Sequence, residues 1–269
     1  MTRDGGGRAR AGLIALALVV ALSVMGAARV ARADETQLLV FEAASLKDAF
    51  AKLAQRFEKE HPGVKVVANA AGTQELRAQI EHGAAADVFA SADHKHMDAL
   101  AAEGLVVSPS IFTCNEPVVV VRKGMSPPIQ SWADLARAER IVVGTPEVPI
   151  GAYTLQILQK ATKSEGADFP RRVQAKVASR ELNVRQILAK VALGEADAGI
   201  VYRSDAVSAA GKVQVVAIPP ESNVTAEYPI AVVRKAARPA LAKQWVDLVK
   251  SPAGTQILGE AGFIPCPKR

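Results

Sequence analysis

Three hydroxyls stand where a hydroxyl can do chemistry: Ser45 in Ala43-Ala44-Ser45, Thr73 in Ala71-Gly72-Thr73, and Tyr202 at the end of Ala198-Gly199-Ile200-Val201-Tyr202. Ser45 and Thr73 each follow an apolar strand-like run, on a small-residue loop that opens a helical pattern. Two further helix starts lack a hydroxyl, Pro149-Ile150-Gly151 and Asn183-Val184. The first N–H groups of a helix have no partner inside it and carry partial positive charge, so a helix start can hold an anion. Taken singly, each Ser or Thr reads as an ordinary helix cap and Tyr202 as a core residue. Ser45, Thr73, Ile150, Val184 and Tyr202 taken together describe a set of neutral donors with no Arg or Lys among them. Such a set suits a fully ionised anion that needs donors and offers no proton.

The segment Glu181 to Ala206 is the most explicit of these. Asn183 is a good N-cap, and Val184, Ile187, Leu188 and Val191 recur at helical spacing before Gly194 ends the run. The strand that follows delivers the Tyr202 phenol at its C-terminal end. In open parallel sheets, ligands bind beyond the carboxyl ends of strands, where loops of this kind gather.

Elsewhere the same alternation repeats. Leu38–Phe41, Val64–Ala68, Asp87–Ala90 and Ile141–Val143 read as strands. Helices are expected from Ser45, from Thr73, from Ser91 as cap to Gly104, over Ser131–Ala138 and Gly151–Ala161, and finally from Pro239 to Leu248 with Leu241, Trp245 and Leu248 inward. The rhythm predicts an α/β chain of βαβ units with mostly parallel sheets. A near-repeat, Glu116-Pro117-Val118-Val119-Val120-Val121-Arg122-Lys123 against Tyr228-Pro229-Ile230-Ala231-Val232-Val233-Arg234-Lys235, suggests two equivalent strands at crossings between two lobes; coincidence among Val-rich strands is the other reading.

Arg3, Arg8 and Arg10, the apolar run from Ala11 to Ala28, and Ala31-Arg32-Ala33 form a secretory signal, with cleavage expected after Ala33. An uncleaved anchor is the alternative. The net charge of +6 owes most to that leader, since residues 1–33 hold five arginines and one aspartate and the remainder carries +2. No basic tract or aromatic stacking motif remains, which argues against nucleic acid. Cys114 and Cys266 in an oxidising compartment permit one disulfide or two buried thiols.

Dinucleotide-binding, Walker, zinc-protease, nucleophile-elbow and Cys-x-x-Cys signatures are absent from the chain. His94 and His96 lie two apart on an expected helix, and a solvated helix surface accounts for them better than a metal site. A secreted esterase with Ser45 as nucleophile lacks a base, and no enzyme is expected. A ferric-ion receptor would want adjacent tyrosines, whereas Tyr153, Tyr202 and Tyr228 are scattered. An organic anion would want an arginine, for which Arg185 is the candidate.

Several motifs together carry a family likeness. Phe41-Glu42-Ala43-Ala44-Ser45-Leu46, Ala86-Asp87-Val88-Phe89-Ala90-Ser91-Ala92-Asp93, Gly144-Thr145-Pro146-Glu147 with Pro149-x-Gly151-x-Tyr153, Asn183-Val184-Arg185, the run Gly194 to Ala206, and Tyr228-Pro229 resemble the periplasmic molybdate-binding proteins of ABC importers. The resemblance runs in order along the chain after the leader. It implies a two-lobed type II periplasmic binding fold, each lobe a mostly parallel sheet flanked by helices, closing over a tetrahedral oxyanion. The expected layout is 1–33 signal, 34–115 first part of lobe 1, 116–228 lobe 2, and 229–269 the return to lobe 1. By position, Ser45 and Thr73 would donate from side chain and backbone, Ile150 and Val184 from backbone N–H, and Tyr202 from its hydroxyl. Molybdate or tungstate would be the ligand, with no resident cofactor, and molybdenum present only within that oxyanion. An inner-membrane permease with a cytoplasmic ATPase would be the partner of a periplasmic monomer. A same-fold receptor for another oxyanion or a small organic anion is the alternative. Glu42 in place of the usual alanine, Gly72-Thr73-Gln74 in place of a serine run, and Ile150 in place of a smaller residue bear on pocket size.

Overall fold

The computed structural model describes residues 35–267; the expected leader and its cleavage site lie outside them. Strand β1 (Thr36–Ala43) shows how the apolar runs are used. On one side, Leu38 and Val40 share a core with Phe50, Leu53 and Phe57 of α1 (Lys47–Glu60). On the other, Phe41 joins Leu76 and Ile80 of α2 (Thr73–Glu81) and Met97 and Leu100 of α3 (His94–Ala102). Helices on both faces bury the strand twice, which is why it reads as a continuous apolar run.

Two five-stranded sheets result. In the first, β2 (Val64–Ala71), β1 and β3 (Val88–Ala90) are parallel neighbours; β10 (Ala226–Val233) runs antiparallel between β3 and β4 (Val106–Asn115). In the second, β7 (Val177–Glu181), β6 (Ile141–Gly144) and β8 (Ala198–Tyr202) are parallel, and β5 (Pro117–Arg122) runs antiparallel between β8 and β9 (Val213–Ala217). Each sheet thus has a single reversed strand, fourth in order. The two Pro-led near-repeat strands are those reversed strands, β5 and β10. Each begins just after the chain has passed from one sheet to the other, the first time between Asn115 and Pro117 and the second between Ala217 and Ala226. Their likeness is the sequence trace of equivalent places in two similar sheets.

Helix α4 (Pro149–Ala161) follows β6, α5 (Phe169–Gln174) precedes β7, α6 (Val184–Ala192) precedes β8, and α7 (Arg203–Ser208) follows it. Near the C-terminus, α8 (Pro239–Lys250) sets Trp245 edge-on against Phe50 and Phe57, with ring centroids 5.5 Å apart in both pairs. Its inward face is Ala242, Trp245 and Val249, with Leu241 and Leu248 only partly covered. A further helix, α9 (Pro252–Glu260), lay beyond the expected last one; Ser251 caps it by accepting from Gly254 N–H at 3.1 Å.

Two other local expectations need correction. Residues 133–137 form a 3₁₀ turn rather than an α-helix over 131–138. The cap of α3 is Asp93, which accepts from His96 N–H at 3.1 Å; Ser91 instead donates its hydroxyl to the Asp93 carbonyl at 2.6 Å. The cysteines settle on the disulfide Cys114–Cys266, which ties the end of β4 to the C-terminal segment.

Candidate functional site

All five candidate residues line one cavity between the two sheets, together with Ala43, Ala44, Gly72, Ala92, Pro149 and Asn183 among others. Its free space is about 20 Å³. A single water needs roughly 10–15 Å³ of such space, so in this arrangement the cavity has room for little more than a small ion.

Each residue arrives there by a different local route. Ser45 sits inside a 3₁₀ turn (Ala44–Leu46) that leads from β1 into α1, so it is not a helix cap as its position suggested. Its Oγ lies 2.9 Å from the Tyr228 hydroxyl. Thr73 is the first residue of α2, whose cap is Gly72; the Gly72 N–H donates to Glu75 Oε2 at 3.0 Å. The Thr73 hydroxyl accepts from Ala92 N–H at 3.3 Å, which leaves its own hydrogen for the cavity. Ile150 follows Pro149, whose fixed φ suits the first helical position, and its N–H belongs to the uncommitted first turn of α4. Val184 opens α6 behind Asn183, which caps as expected by accepting from Gln186 N–H at 3.1 Å. Tyr202 ends the fully buried strand β8.

The electrostatics are those of a site built from neutral groups and helix starts. Three helices point their positive ends at the cavity, and among the described residues no Lys, Arg, Asp or Glu lines it. The Tyr202 hydroxyl is buried without a hydrogen-bond partner among the described residues. Burial, and then Tyr228, Tyr153 and the carboxylates of Asp93 and Asp205, hold its pKa well above that of a free phenol, so it remains a donor. Arg185, next to Val184, turns away to Asp48 Oδ2 at 2.7 Å and Asp205 Oδ1 at 2.8 Å. It is therefore not the arginine an organic anion would want. Glu42 is 1% exposed and lies outside the cavity lining. Burial pushes its carboxyl up to about 8, against the pull of Lys47 and Arg185, so it is mostly neutral at pH 7 and sets little charge beside the anion site.

Hydrogen bonds cross between elements of the two sheets around the cavity. Gln74 Nε2 donates to the Leu182 carbonyl at 2.7 Å, and His96 Nε2 lies 3.0 Å from the Glu147 carbonyl. With the Arg185–Asp48 pair these bonds describe a closed arrangement. His96 is thus buried, not on a solvated surface. Among the described residues no group of His, Cys, Asp and Glu is placed to hold a metal ion. Two glycines permit close packing here, Gly72 across the cleft and Gly151 where α4 starts against the loop after β6. A Cβ at Gly72 would lie 2.4 Å from the Leu182 carbonyl oxygen, and one at Gly151 would lie 1.9 Å from that of Thr145.

The sequence reading missed the partners behind these groups. Tyr228 is 183 residues from Ser45 and reaches it only because β10 returns to the first sheet; no periodicity or spacing signals that.

A family model for bacterial extracellular solute-binding proteins matches residues 38–264. The chain belongs to that family. Among these solute-binding proteins, it is 41% identical over 260 residues to the molybdate-binding protein ModA of Mycobacterium bovis, covering 94% of this chain and 96% of the relative. Two solved structures share the fold. The periplasmic molybdate-binding protein of Azotobacter vinelandii aligns with a TM-score of 0.75 at 23% identity, over 86% of this chain and all of that one. The sulfate-binding protein SubI of Mycobacterium tuberculosis aligns at 0.76 and 22%, over 86% and 87%. The two-lobed periplasmic binding architecture expected from the sequence is the one observed.

Proposed function

We propose that this solute-binding protein captures molybdate, and tungstate with it, for an ABC importer. The observation that carries the reading is the small cavity with no charged side chain in its described lining, into which Ser45, Thr73, the N–H groups of Ile150 and Val184, and Tyr202 converge. The identity to a relative named as molybdate-binding supports the choice of ion. In this reading the dianion's charge is spread over hydroxyls and helix starts in a low-dielectric pocket, where each hydrogen bond to charge is strong. Hydrogen phosphate is disfavoured because it brings a proton and no carboxylate lines the cavity to accept it. Sulfate is disfavoured by size, since donors spaced for the larger ion cannot all reach the smaller one.

The same reading makes the two sheets lobes that rock about the crossings, 34–115 with 229–269 against 116–228. Closure would present a joined surface to a permease and its ATPase. The protein would be exported by the leader, cleaved after Ala33, and work as a monomer in the periplasm.

Calorimetric titration of the ligand-free protein with molybdate, tungstate, sulfate and phosphate tests this. One-to-one binding of the first two is expected, with sulfate and phosphate weaker by about 100-fold or more, or some 3 kcal/mol. Equal binding of sulfate would overturn the size argument, and silence from all four would overturn the oxyanion reading.

A further inference from the structure

Ser45 faces the cavity, but a hydroxyl rotates, and alone it is as ready to accept as to donate. The atoms behind it remove that freedom. Tyr228 is completely buried, and its hydroxyl lies 2.9 Å from Ser45 Oγ. Tyr228 pairs with Thr113 and Ala226 with Asn115 between β10 and β4, so the Asn115 side chain lies diagonally beside the same phenol on one face of the sheet. The carbonyl oxygen of that amide is occupied by Glu116 N–H at 3.0 Å, while its nitrogen donates to Ser204 Oγ at 2.8 Å. With its carbonyl oxygen taken, the amide has only N–H to offer the phenol oxygen. A phenol oxygen that accepts from the amide turns its O–H to Ser45, 2.9 Å away, and Ser45 is then left to donate into the cavity.

We infer that Tyr228 is a positioning residue of the binding site, which with Asn115 fixes Ser45 as a hydrogen-bond donor toward the bound oxyanion. The inference rests on the reading of the cavity as an oxyanion site. The relay also starts at the two crossings: Asn115 ends β4 at the first, and Tyr228 stands on β10 just after the second. Orientation of the donor is thus set by the segments about which the lobes meet, not by the binding loop itself.

A double-mutant cycle on the full chain tests this, with inorganic molybdate as the probe and calorimetry as the readout. Tyr228→Phe keeps the edge-on ring contacts to Phe112, Tyr202 and Phe263 and removes only the hydroxyl. Ser45→Ala is expected to weaken molybdate binding about 10- to 100-fold, and Tyr228→Phe about 5- to 10-fold. The double variant is expected to bind no more weakly than Ser45→Ala alone, because Tyr228 acts through Ser45. Unchanged affinity in Tyr228→Phe, or losses that multiply in the double variant, would overturn the inference while leaving the site intact. No loss in Ser45→Ala would overturn the cavity reading itself, and this inference with it.

Discussion

Replacing Tyr202 by Phe separates what a binding hydroxyl does from what a structural one does. The Tyr202 hydroxyl is buried and has no partner among the described residues, while its ring packs edge-on against Tyr153 and Tyr228 at centroid distances of 6.4 and 5.8 Å. Phe keeps the ring and removes the oxygen. In the ligand-free protein this deletes a buried, unsatisfied polar group, a group whose burial costs about 1–3 kcal/mol, so the thermal midpoint should stay level or rise. With molybdate bound, the variant lacks one hydrogen bond to a charged group, about 1.5–3 kcal/mol, which is a rise in Kd of roughly 10- to 150-fold. Because the phenol stays protonated far above neutrality, wild-type affinity should show no loss from its ionisation between about pH 6 and 9. Calorimetry and thermal melting on the same samples give both numbers. An affinity within twofold of wild type, or a fall in ligand-free stability with the loss of affinity, would refute the assignment of Tyr202 as a ligand donor.

Two further perturbations follow from the geometry. Gly72→Ala puts a methyl 2.4 Å from the Leu182 carbonyl oxygen, a contact across the closed cleft. It should weaken molybdate binding by about 1–3 kcal/mol while leaving the melting of the ligand-free protein near wild type, and an unchanged Kd would show that closure does not bring these groups together. Glu42→Gln addresses stability against pH. The folded state holds the Glu42 proton up to about pH 8, whereas the unfolded chain releases it near 4.5, so stability should fall as pH rises through that window and level off above it. Asp205, raised to about 6 by burial against the pull of Arg185, adds slope to the lower part. The Gln variant should flatten the Glu42 share and be more stable at pH 8 by roughly 2–4 kcal/mol in denaturant titrations; an unchanged slope would remove Glu42 as its source.

Much of this was legible in the sequence because the informative features are local. Asn183 with the apolar spacing of Val184, Ile187, Leu188 and Val191 specifies a capped helix by rules that need nothing from the rest of the fold, and the structure builds it so. The Pro-led near-repeat marked equivalent strands for a similar reason, since each must pass buried through the same place in its sheet. The errors arose where two local readings compete. Ser91 and Asp93 are both good caps, and the choice turned on which side chain reached His96 N–H. Ser45 and Thr73 looked like caps and stand inside their helical turns, with hydroxyls engaged by Tyr228 and Ala92. His96 looked solvated because the Glu147 carbonyl that covers it comes from the other sheet. The neutral state of Glu42 was equally unreadable, because it depends on burial that outweighs the pull of Lys47 and of Arg185, 143 positions away.

The central claim is that one anion is held by the five donors that line a single cavity. A crystal structure of the molybdate complex, with the metal located by its anomalous scattering, tests it most directly. The account predicts a molybdenum peak between the sheets, with oxygens about 2.7–3.1 Å from the hydroxyls of Ser45, Thr73 and Tyr202 and from the N–H groups of Ile150 and Val184. A peak elsewhere, or one contacted by Arg185 while Tyr202 stands apart, would contradict it.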